Sequence, residues 1–138
     1  MKVKYNTKEL DIMARLMRAE AVGEGNLGML MVGNIVVNRA VARCDVFSDI
    51  RTIYDVIYQN PGGFSGVKSS LFQESSTSLE KRLAKRCLNG ELFHPASYSL
   101  WFYAPKTGAE CKNTFYSQPL VGRYKSHCFY KPTDENCL

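Results

Sequence analysis

The stretch ARLMRAEAVGEG, residues 14–25, places a glutamate on the apolar side of a predicted helix. At about 100° per residue, residues 6–22 form an apolar stripe that contains Leu16 and Met17 and lies opposite a stripe of charged side chains. Glu20 lies one turn beyond Leu16 and Met17, near the middle of the apolar stripe. The pattern is typical of an amphipathic helix with one carboxyl group on its buried side.

The environment of Glu20 permits two interpretations. A carboxylate against apolar surroundings must find a partner or become neutral, because desolvation raises its pKa. A carboxyl group that keeps its proton near neutral pH is what a general acid needs. Alternatively, the helix ends within residues 21–23, and Glu20 turns to water or pairs with Arg39.

Length and composition indicate one globular unit. The chain has 138 residues, of which 45% are hydrophobic, and this is enough for one core. No repeat, low-complexity tract or linker divides it, so we expect a single domain covering residues 1–138. The formal net charge of +5 favours an anionic partner, either nucleic acid, a membrane surface or an acidic cell-wall glycan. The charge alone does not distinguish among them.

The N-terminal sequence carries no recognisable export signal. The first residues, MKVKYNTKEL, lack the apolar segment of a signal peptide. No stretch approaches the roughly 18 apolar residues that a membrane-spanning helix needs. We therefore expect a soluble protein that is made without signal-peptide-dependent export.

The cysteines are odd in number, so at least one stays unpaired in a monomer. They are Cys44, Cys87, Cys111, Cys128 and Cys137. Without a C-x-x-C pair a structural zinc site is not expected, although His127 beside Cys128 leaves that alternative open. We expect most of the thiols to be buried. Cys137, next to the chain end, is the candidate for a mobile thiol that forms cross-links.

Capping residues mark the first and last of four predicted helices. Asn6 caps the first helix, and Glu9, three residues later, completes a capping box. Thr77 and Glu80 form the same box at the start of TSLEKRLAKRCLNG, the fourth helix. Its basic face is expected to be solvated rather than a binding patch.

Two helices are predicted between these. NLGMLMVGNIVVNRAVAR, with Asn26 as its cap, is apolar nearly all round and predicts a buried central helix. Asn34 and Asn38 lie one turn apart on it and either brace a neighbouring loop or point into a polar cleft, since buried amides need hydrogen-bond partners. A short third helix in SDIRTIYDVIYQ is expected to begin at Ser48 or Asp49.

The C-terminal half changes to a strand-like pattern. SYSLWFYAP and RYKSHCFYKP are aromatic-rich runs that end at proline, as expected for two strands of a small sheet. The segment between them, KTGAECKNTFYSQPLVG, is predicted to be a long loop or a partly extended arm. The fold class is therefore α+β, mainly helical, with a small antiparallel β-sheet in the C-terminal half.

Taken in order, several segments resemble the SleB/CwlJ family of bacterial cell-wall hydrolases, and most of all its CwlJ branch. These segments are ARLMRAEAVGEG, VGNIVVNRA, TIYDVIYQ, FSGV, LWFYAP and SHCFYKP, and they extend from about Leu10 to Pro132. The resemblance implies a lysozyme-like domain of the lytic-transglycosylase type. It further implies glycosidic cleavage of spore cortex peptidoglycan during germination.

The resemblance also implies a set of site residues. Glu20 matches the catalytic acid, and a lytic transglycosylase needs no second carboxylate, because the C6 hydroxyl of the muramic sugar attacks its own anomeric carbon. Glu24 is a candidate second carboxylate or substrate-binding residue, although flanking glycines favour a place in the turn, where it accepts N–H bonds or helps to hold a cation. Further candidates for the cleft are Asn38, Gln59, Ser65, Tyr103 and His127, although for His127 a hydrogen-bonded histidine within a strand is the preferred interpretation.

By the same resemblance, the chemistry needs no cofactor and no metal, while calcium dipicolinate is a possible activator. The expected partners are cortex peptidoglycan and a GerQ-type spore coat protein. Nucleic acid is not an expected partner, and no membrane-spanning segment is expected. The expected location is the spore coat or outer cortex boundary, reached after synthesis in the mother-cell cytoplasm. The alternatives are a non-catalytic glycan-binding or coat scaffold protein of the same fold and a basic DNA-binding module. An amidase or peptidase would need a metal site or an activated nucleophile, and the sequence shows no set of residues suited to either.

Overall fold

Residues 3–138 are described by a computed structural model of the protein. The helices of this region are α1 (Thr7–Glu20), α2 (Gly25–Val41), α3 (Ile53–Ile57), α4 (Ser70–Gln73) and α5 (Ser78–Leu88). The strands are β1 (Trp101–Tyr103), β2 (Thr114–Phe115), β3 (Gln118–Tyr124) and β4 (His127–Tyr130). Short 3₁₀ turns cover Asp45–Phe47 and Ser65–Lys68. None of the helices in this region is both long and apolar enough to cross a membrane.

Both predicted capping boxes are confirmed. The Asn6 side chain accepts a hydrogen bond from the Glu9 N–H at 2.8 Å, and the Glu9 carboxylate accepts one from the Asn6 N–H at 3.0 Å. Thr77 and Glu80 exchange the same pair of bonds at the start of α5, at 3.1 and 2.8 Å. These bonds satisfy N–H groups that the first helical turn leaves free.

Helix α2 is the central helix of the core, as its apolar sequence predicts. Val32 and Ile35 are completely buried, and the helix packs against α1, α3 and α5. The predicted cap at Asn26 is wrong, because α2 begins earlier, at Gly25, and Glu24 precedes it. Gly25 has a φ of +77°, a conformation that glycine adopts without steric cost and that the tight turn from α1 requires.

The predicted start of α3 at Ser48 or Asp49 is also wrong. The helix begins at Ile53, where the Thr52 hydroxyl accepts from the Asp55 N–H at 3.0 Å and Asp55 accepts from the Thr52 N–H at 3.3 Å. This box satisfies two free N–H donors. The Ser48 N–H is already bonded within the preceding 3₁₀ turn.

The four strands form one antiparallel sheet in the order β1-β4-β3-β2. The sheet itself is as predicted, but two assignments within it are wrong. RYKSHCFYKP is a hairpin rather than one strand, since Tyr124 of β3 pairs with His127 of β4 across a two-residue turn. The predicted loop after Pro105 contains β2 and most of β3.

The cysteines form two disulfide bonds, Cys44–Cys137 and Cys111–Cys128. The prediction of a mobile thiol at Cys137 is wrong, because this residue is completely buried and bonded to the end of the α2 region. The disulfide of Cys128 likewise removes it as a zinc ligand. The unpaired thiol is Cys87, whose burial raises its pKa to about 12 and keeps it protonated.

Candidate active site

A groove of about 710 Å³ lies between the C-terminal end of α1, residues 63–69, and the end of the sheet where β1 finishes and β4 begins. Its polar lining side chains are Glu20, Arg39, Ser65, Lys68, Ser69, Tyr103 and His127. Phe64 and Phe102 give it apolar walls. Among the described residues that line the groove, Glu20 is the single carboxylate. The groove therefore combines one acid with two cationic side chains and an aromatic surface.

Glu20 is the last residue of α1, and its half-buried carboxyl group accepts a hydrogen bond from the N–H of Gly66. Burial raises the pKa of Glu20, although the Gly66 N–H, the Ser65 side chain and the positive charge of Arg39 each oppose this effect. Within residues 3–138, no ion pair joins Glu20 to Arg39. The carboxyl group is thus held at the groove rather than released into water.

Gly66 allows the chain to approach Glu20 closely. A Cβ atom at this position would contact the Glu20 carboxylate, with Cδ at 3.0 Å and Cγ at 3.1 Å. Any larger residue therefore has to displace the carboxyl group or the 3₁₀ turn. The absence of a side chain at position 66 is what lets a backbone N–H orient the acid.

Arg39 lies beneath the groove with only 5% of its surface exposed. Its Nε donates to the carbonyl of Leu100 at 2.8 Å, and its Nη1 donates to the carbonyl of Gly62 at 3.1 Å. The guanidinium also lies 4.6 Å from the ring centroid of Phe64. Burial lowers the pKa of Arg39 to about 10, so it keeps its positive charge near neutral pH.

Glu24 occupies the turn between α1 and α2 and connects it to the β3–β4 hairpin. Its Oε1 accepts hydrogen bonds from the Ser126 N–H at 3.0 Å and the Ser126 hydroxyl at 2.7 Å. The same oxygen lies 3.3 Å from Nδ1 of His127, whose pKa is lowered by burial against the opposing effect of Glu24. Glu24 is 7% exposed and does not line the groove. Glu24 therefore lies in the turn, as its flanking glycines predicted.

Tyr103 and Ser65 line the groove with Glu20, as the sequence predicted. The Tyr103 hydroxyl accepts a hydrogen bond from the Lys112 N–H at 2.9 Å, and its ring stacks on Tyr130 with centroids 5.8 Å apart. Its ring is therefore held in place where it lines the groove. Ser65 is exposed, and its side chain helps to hold the charged form of Glu20.

Asn38 and Gln59 do not line the groove, so a substrate contact in the groove does not fit either residue. The Asn38 amide donates to the carbonyls of Ala96, Ser97 and Ser99 at 3.2, 3.1 and 2.9 Å, and it therefore braces a loop. Three accepting carbonyls require a buried amide donor, which explains the polar residue on this apolar helix. Gln59 lies behind the groove, where its Oε1 accepts from Arg39 at 3.4 Å.

Sequence reasoning missed the roles of Arg39 as a groove residue, of Gly66, and of Lys68. The segment FSGV was noticed only as part of a resemblance. Its Ser-Gly pair was the available signal for a turn that approaches another chain segment closely. The contact itself joins residues 46 positions apart.

Comparisons with known proteins agree over nearly the full chain. A family model described as Cell Wall Hydrolase matches residues 23–130. Cell wall hydrolase CwlJ of Oceanobacillus iheyensis is 53% identical over 135 residues, which are 98% of this chain and 94% of that protein. Cell wall hydrolase CwlJ of Bacillus subtilis is 47% identical, covering 98% and 93%. The spore cortex-lytic enzyme of Bacillus cereus is 23% identical over 92% of this chain and 46% of its own length.

Two solved structures share the fold. The catalytic domain of the Bacillus cereus SleB protein aligns with a TM-score of 0.72 at 21% identity, covering 93% of each chain. The catalytic domain of the germination-specific lytic transglycosylase SleB from Bacillus anthracis aligns with a TM-score of 0.73 at 22% identity, covering 95% of this chain and all of that one. At this identity the similarity concerns the fold, and it confirms helices combined with a small antiparallel sheet.

Proposed function

Because the chain belongs to the Cell Wall Hydrolase family, we propose that it is a peptidoglycan-degrading enzyme that cleaves glycosidic bonds of the spore cortex during germination. The observation that carries this proposal is the half-buried Glu20 carboxyl group, which has a raised pKa and is the single carboxylate among the described residues that line the groove. The names of the relatives, cell wall hydrolases and a spore cortex-lytic enzyme, support the substrate. A lysozyme-like domain of the lytic-transglycosylase type belongs to the same proposal.

Glu20 acts first as the general acid. Its proton passes to the glycosidic oxygen as the bond from that oxygen to the anomeric carbon breaks, so that the leaving sugar departs as a neutral hydroxyl. Loss of the proton leaves a carboxylate, which the Gly66 N–H and the charge of Arg39 stabilise. The groups that lower the pKa of Glu20 in the resting enzyme thereby stabilise the carboxylate that the first step produces.

The same carboxylate serves as the base in the second step. Most glycosidases require a second carboxylate as nucleophile or as base for water. Glu20 has no carboxylate opposite it among the described groove residues, and Glu24 is engaged by Ser126 and His127. The C6 hydroxyl of the muramic sugar can instead form the new bond to its own anomeric carbon while its proton returns to Glu20. The expected product is a 1,6-anhydro sugar.

The remaining lining groups suit a peptidoglycan strand. Lys68 and Arg39 add positive charge, which attracts the carboxylates of lactyl groups and peptide stems. The rings of Phe102 and Tyr103 provide faces against which the apolar sides of sugar rings pack. The groove is therefore electrostatically and sterically matched to an anionic glycan.

Product analysis tests the proposed reaction. Decoated spore cortex is incubated with the native protein in water enriched in oxygen-18, and the fragments are examined by mass spectrometry. We expect fragments that end in anhydro-muramic residues without the heavy isotope. Labelled reducing ends would identify a hydrolytic glycosidase instead, and the absence of new ends would favour a non-catalytic scaffold.

The raised pKa of Glu20 predicts how activity depends on pH. A general acid works in its protonated form, so kcat/KM is fully present below the pKa of Glu20 and declines as pH rises through it. The Ser65 side chain lowers this pKa, so Ser65→Ala should move the alkaline decline to higher pH. A pH–rate profile on solubilised cortex glycan measures the shift, with Ser70→Ala, an exposed serine outside the groove, as the control. A profile that Ser65→Ala leaves in place, or moves to lower pH, would contradict this assignment.

Regulation and location remain predictions from the family resemblance. We expect the enzyme to act from the spore coat or outer cortex boundary, to be held there by a GerQ-type coat protein, and to respond to calcium dipicolinate. Neither a cofactor nor a metal enters the proposed chemistry.

A further inference from the structure

A second depression, with a volume of about 520 Å³, adjoins the groove. We call it the aromatic pocket, and its defining residues are Phe47, Gln59, Gly62, Trp101, Tyr116 and Gln118. None of these residues is needed for the proton transfers of Glu20. The pocket is therefore a feature that the proposed reaction does not yet explain.

The aromatic pocket and the groove share a wall. Gly62 lines the pocket, and the next residue, Gly63, lines the groove. In β1, Trp101 lines the pocket, and the next residue, Phe102, lines the groove. The two cavities thus meet at consecutive residues of two segments, residues 62–63 and 101–102.

Arg39 lies beneath this shared wall. Its guanidinium carbon is 5.3 Å from the ring centroid of Phe47 in the pocket and 4.6 Å from that of Phe64 in the groove. Its positive charge also acts on the Glu20 carboxyl group in the groove. The two cavities therefore flank one buried cation, and the pocket lies close to the catalytic acid.

The lining of the aromatic pocket suits a neutral sugar. In the part of the chain that the structure describes, no charged side chain lines it, in contrast to the groove with Lys68. Aromatic rings pack against the apolar faces of pyranose rings, and amides bind hydroxyl and N-acetyl groups. The Gln59 amide oxygen accepts a hydrogen bond from Arg39, while within residues 3–138 its amide nitrogen donates none, so this nitrogen is available to a ligand.

Tyr116 provides an exposed and firmly supported ring. Its side chain is 65% exposed, and it lies in the two-residue turn between β2 and β3. The ring centroid of the neighbouring Phe115 is 4.5 Å from that of Tyr116. The Phe115 ring in turn packs on the rings of Tyr103 and Tyr130, at centroid distances of 4.9 and 5.4 Å. An aromatic residue held outward in this way loses little freedom when a ligand packs against it.

We infer that the aromatic pocket is a saccharide subsite that binds a neutral N-acetyl sugar of the same glycan strand whose neighbouring units occupy the groove. This inference rests on the proposed function, since it assigns an additional part of the substrate to the same enzyme. Tyr116 supplies the stacking face and Gln59 the amide donor. The subsite holds the strand beyond the bond that is cleaved.

Trp101 offers a direct measurement, because it is the only tryptophan of the chain and lies in the pocket. Chitobiose and chitohexaose are titrated against the native protein while tryptophan fluorescence is followed. We expect a saturable change with chitohexaose, and about tenfold weaker binding in Tyr116→Ala, which removes one aromatic stacking face. Tyr116→Phe keeps the ring and should bind as the native protein does. Tyr98→Ala, which removes a tyrosine that is 60% exposed outside both cavities, is the matched control.

The outcomes separate the subsite from the reaction. A native protein that cleaves cortex but shows no fluorescence response, or an unchanged affinity in Tyr116→Ala, would overturn the subsite and leave the reaction standing. A fluorescence response that requires Tyr116 in a protein without cortex cleavage would support the subsite and overturn the reaction. In Glu20→Gln, which removes only the acid, the response should persist, and its loss would place the bound sugar in the groove instead.

Discussion

Replacing Glu20 with glutamine is expected to lower kcat/KM for cortex cleavage by about 10²–10⁴-fold, the contribution of one positioned general acid. Glutamine keeps the shape of the side chain, and its amide oxygen can still accept the Gly66 N–H. It has no proton to give to the glycosidic oxygen and cannot take one from the C6 hydroxyl. Because burial opposes the charged form of Glu20, the uncharged variant should unfold at the same temperature as the native protein or above it.

Two further glutamate variants sharpen this experiment. Glu110→Gln changes an exposed glutamate outside the groove and should leave the rate unchanged. Glu24→Gln neutralises the buried carboxylate in the turn between α1 and α2. We expect this variant to lose far less activity than the loss of about 10²-fold that is the least expected when a general acid is removed. A loss in Glu24→Gln as large as that in Glu20→Gln, in a stably folded protein, would indicate a two-carboxylate mechanism and contradict the single-acid one.

Replacing Gly66 with alanine is expected to reduce activity by about 10²-fold, the penalty for a catalytic group misplaced by roughly 1 Å. The added Cβ would contact the Glu20 carboxylate, which is the movable end of a side chain. The carboxyl group can therefore shift while the helices and the sheet stay in place. We expect a nearly unchanged melting temperature by calorimetry together with a greatly reduced rate of cortex cleavage.

A double-mutant cycle shows whether Gly66 acts through Glu20. If the alanine methyl group acts by displacing the carboxyl group, adding Gly66→Ala to Glu20→Gln should lower the residual rate only slightly. Additive losses would mean that position 66 contacts the substrate independently of the acid. A large drop in melting temperature in Gly66→Ala alone would show that the methyl group displaces the backbone of the 3₁₀ turn instead.

The parts of the fold that local chemistry determines could be predicted. The capping boxes at Asn6 and Thr77 depend on residues three positions apart, and the apolar α2 is buried because it is apolar on every side. The sheet was harder to predict. Its turns place Tyr116, Ser117 and Lys125 at positive φ, where glycine and asparagine are the usual residues, so no turn signal separated β2, β3 and β4.

The sequence predicted the acidic residue of the candidate site but not the residues that surround it. Glu20 was recognisable from its own helix, because a charge on an apolar stripe needs an explanation. The support for it comes from Gly66 and Arg39, and only the tertiary fold brings these residues to it. Asn38 was expected in the cleft because a buried amide also suits a binding site, whereas backbone carbonyls of a loop that comes about 60 residues later use all of its donor capacity.

The Cys44–Cys137 bond closes a covalent ring around most of the chain, since its two cysteines are 93 positions apart. Residues 63–69, β1 and β4, which form three sides of the groove, lie inside that ring. A protease that cuts the backbone once between the two cysteines would open the ring without releasing a fragment. The two fragments would stay joined through Cys44 and Cys137, so a single nick need not dismantle the groove.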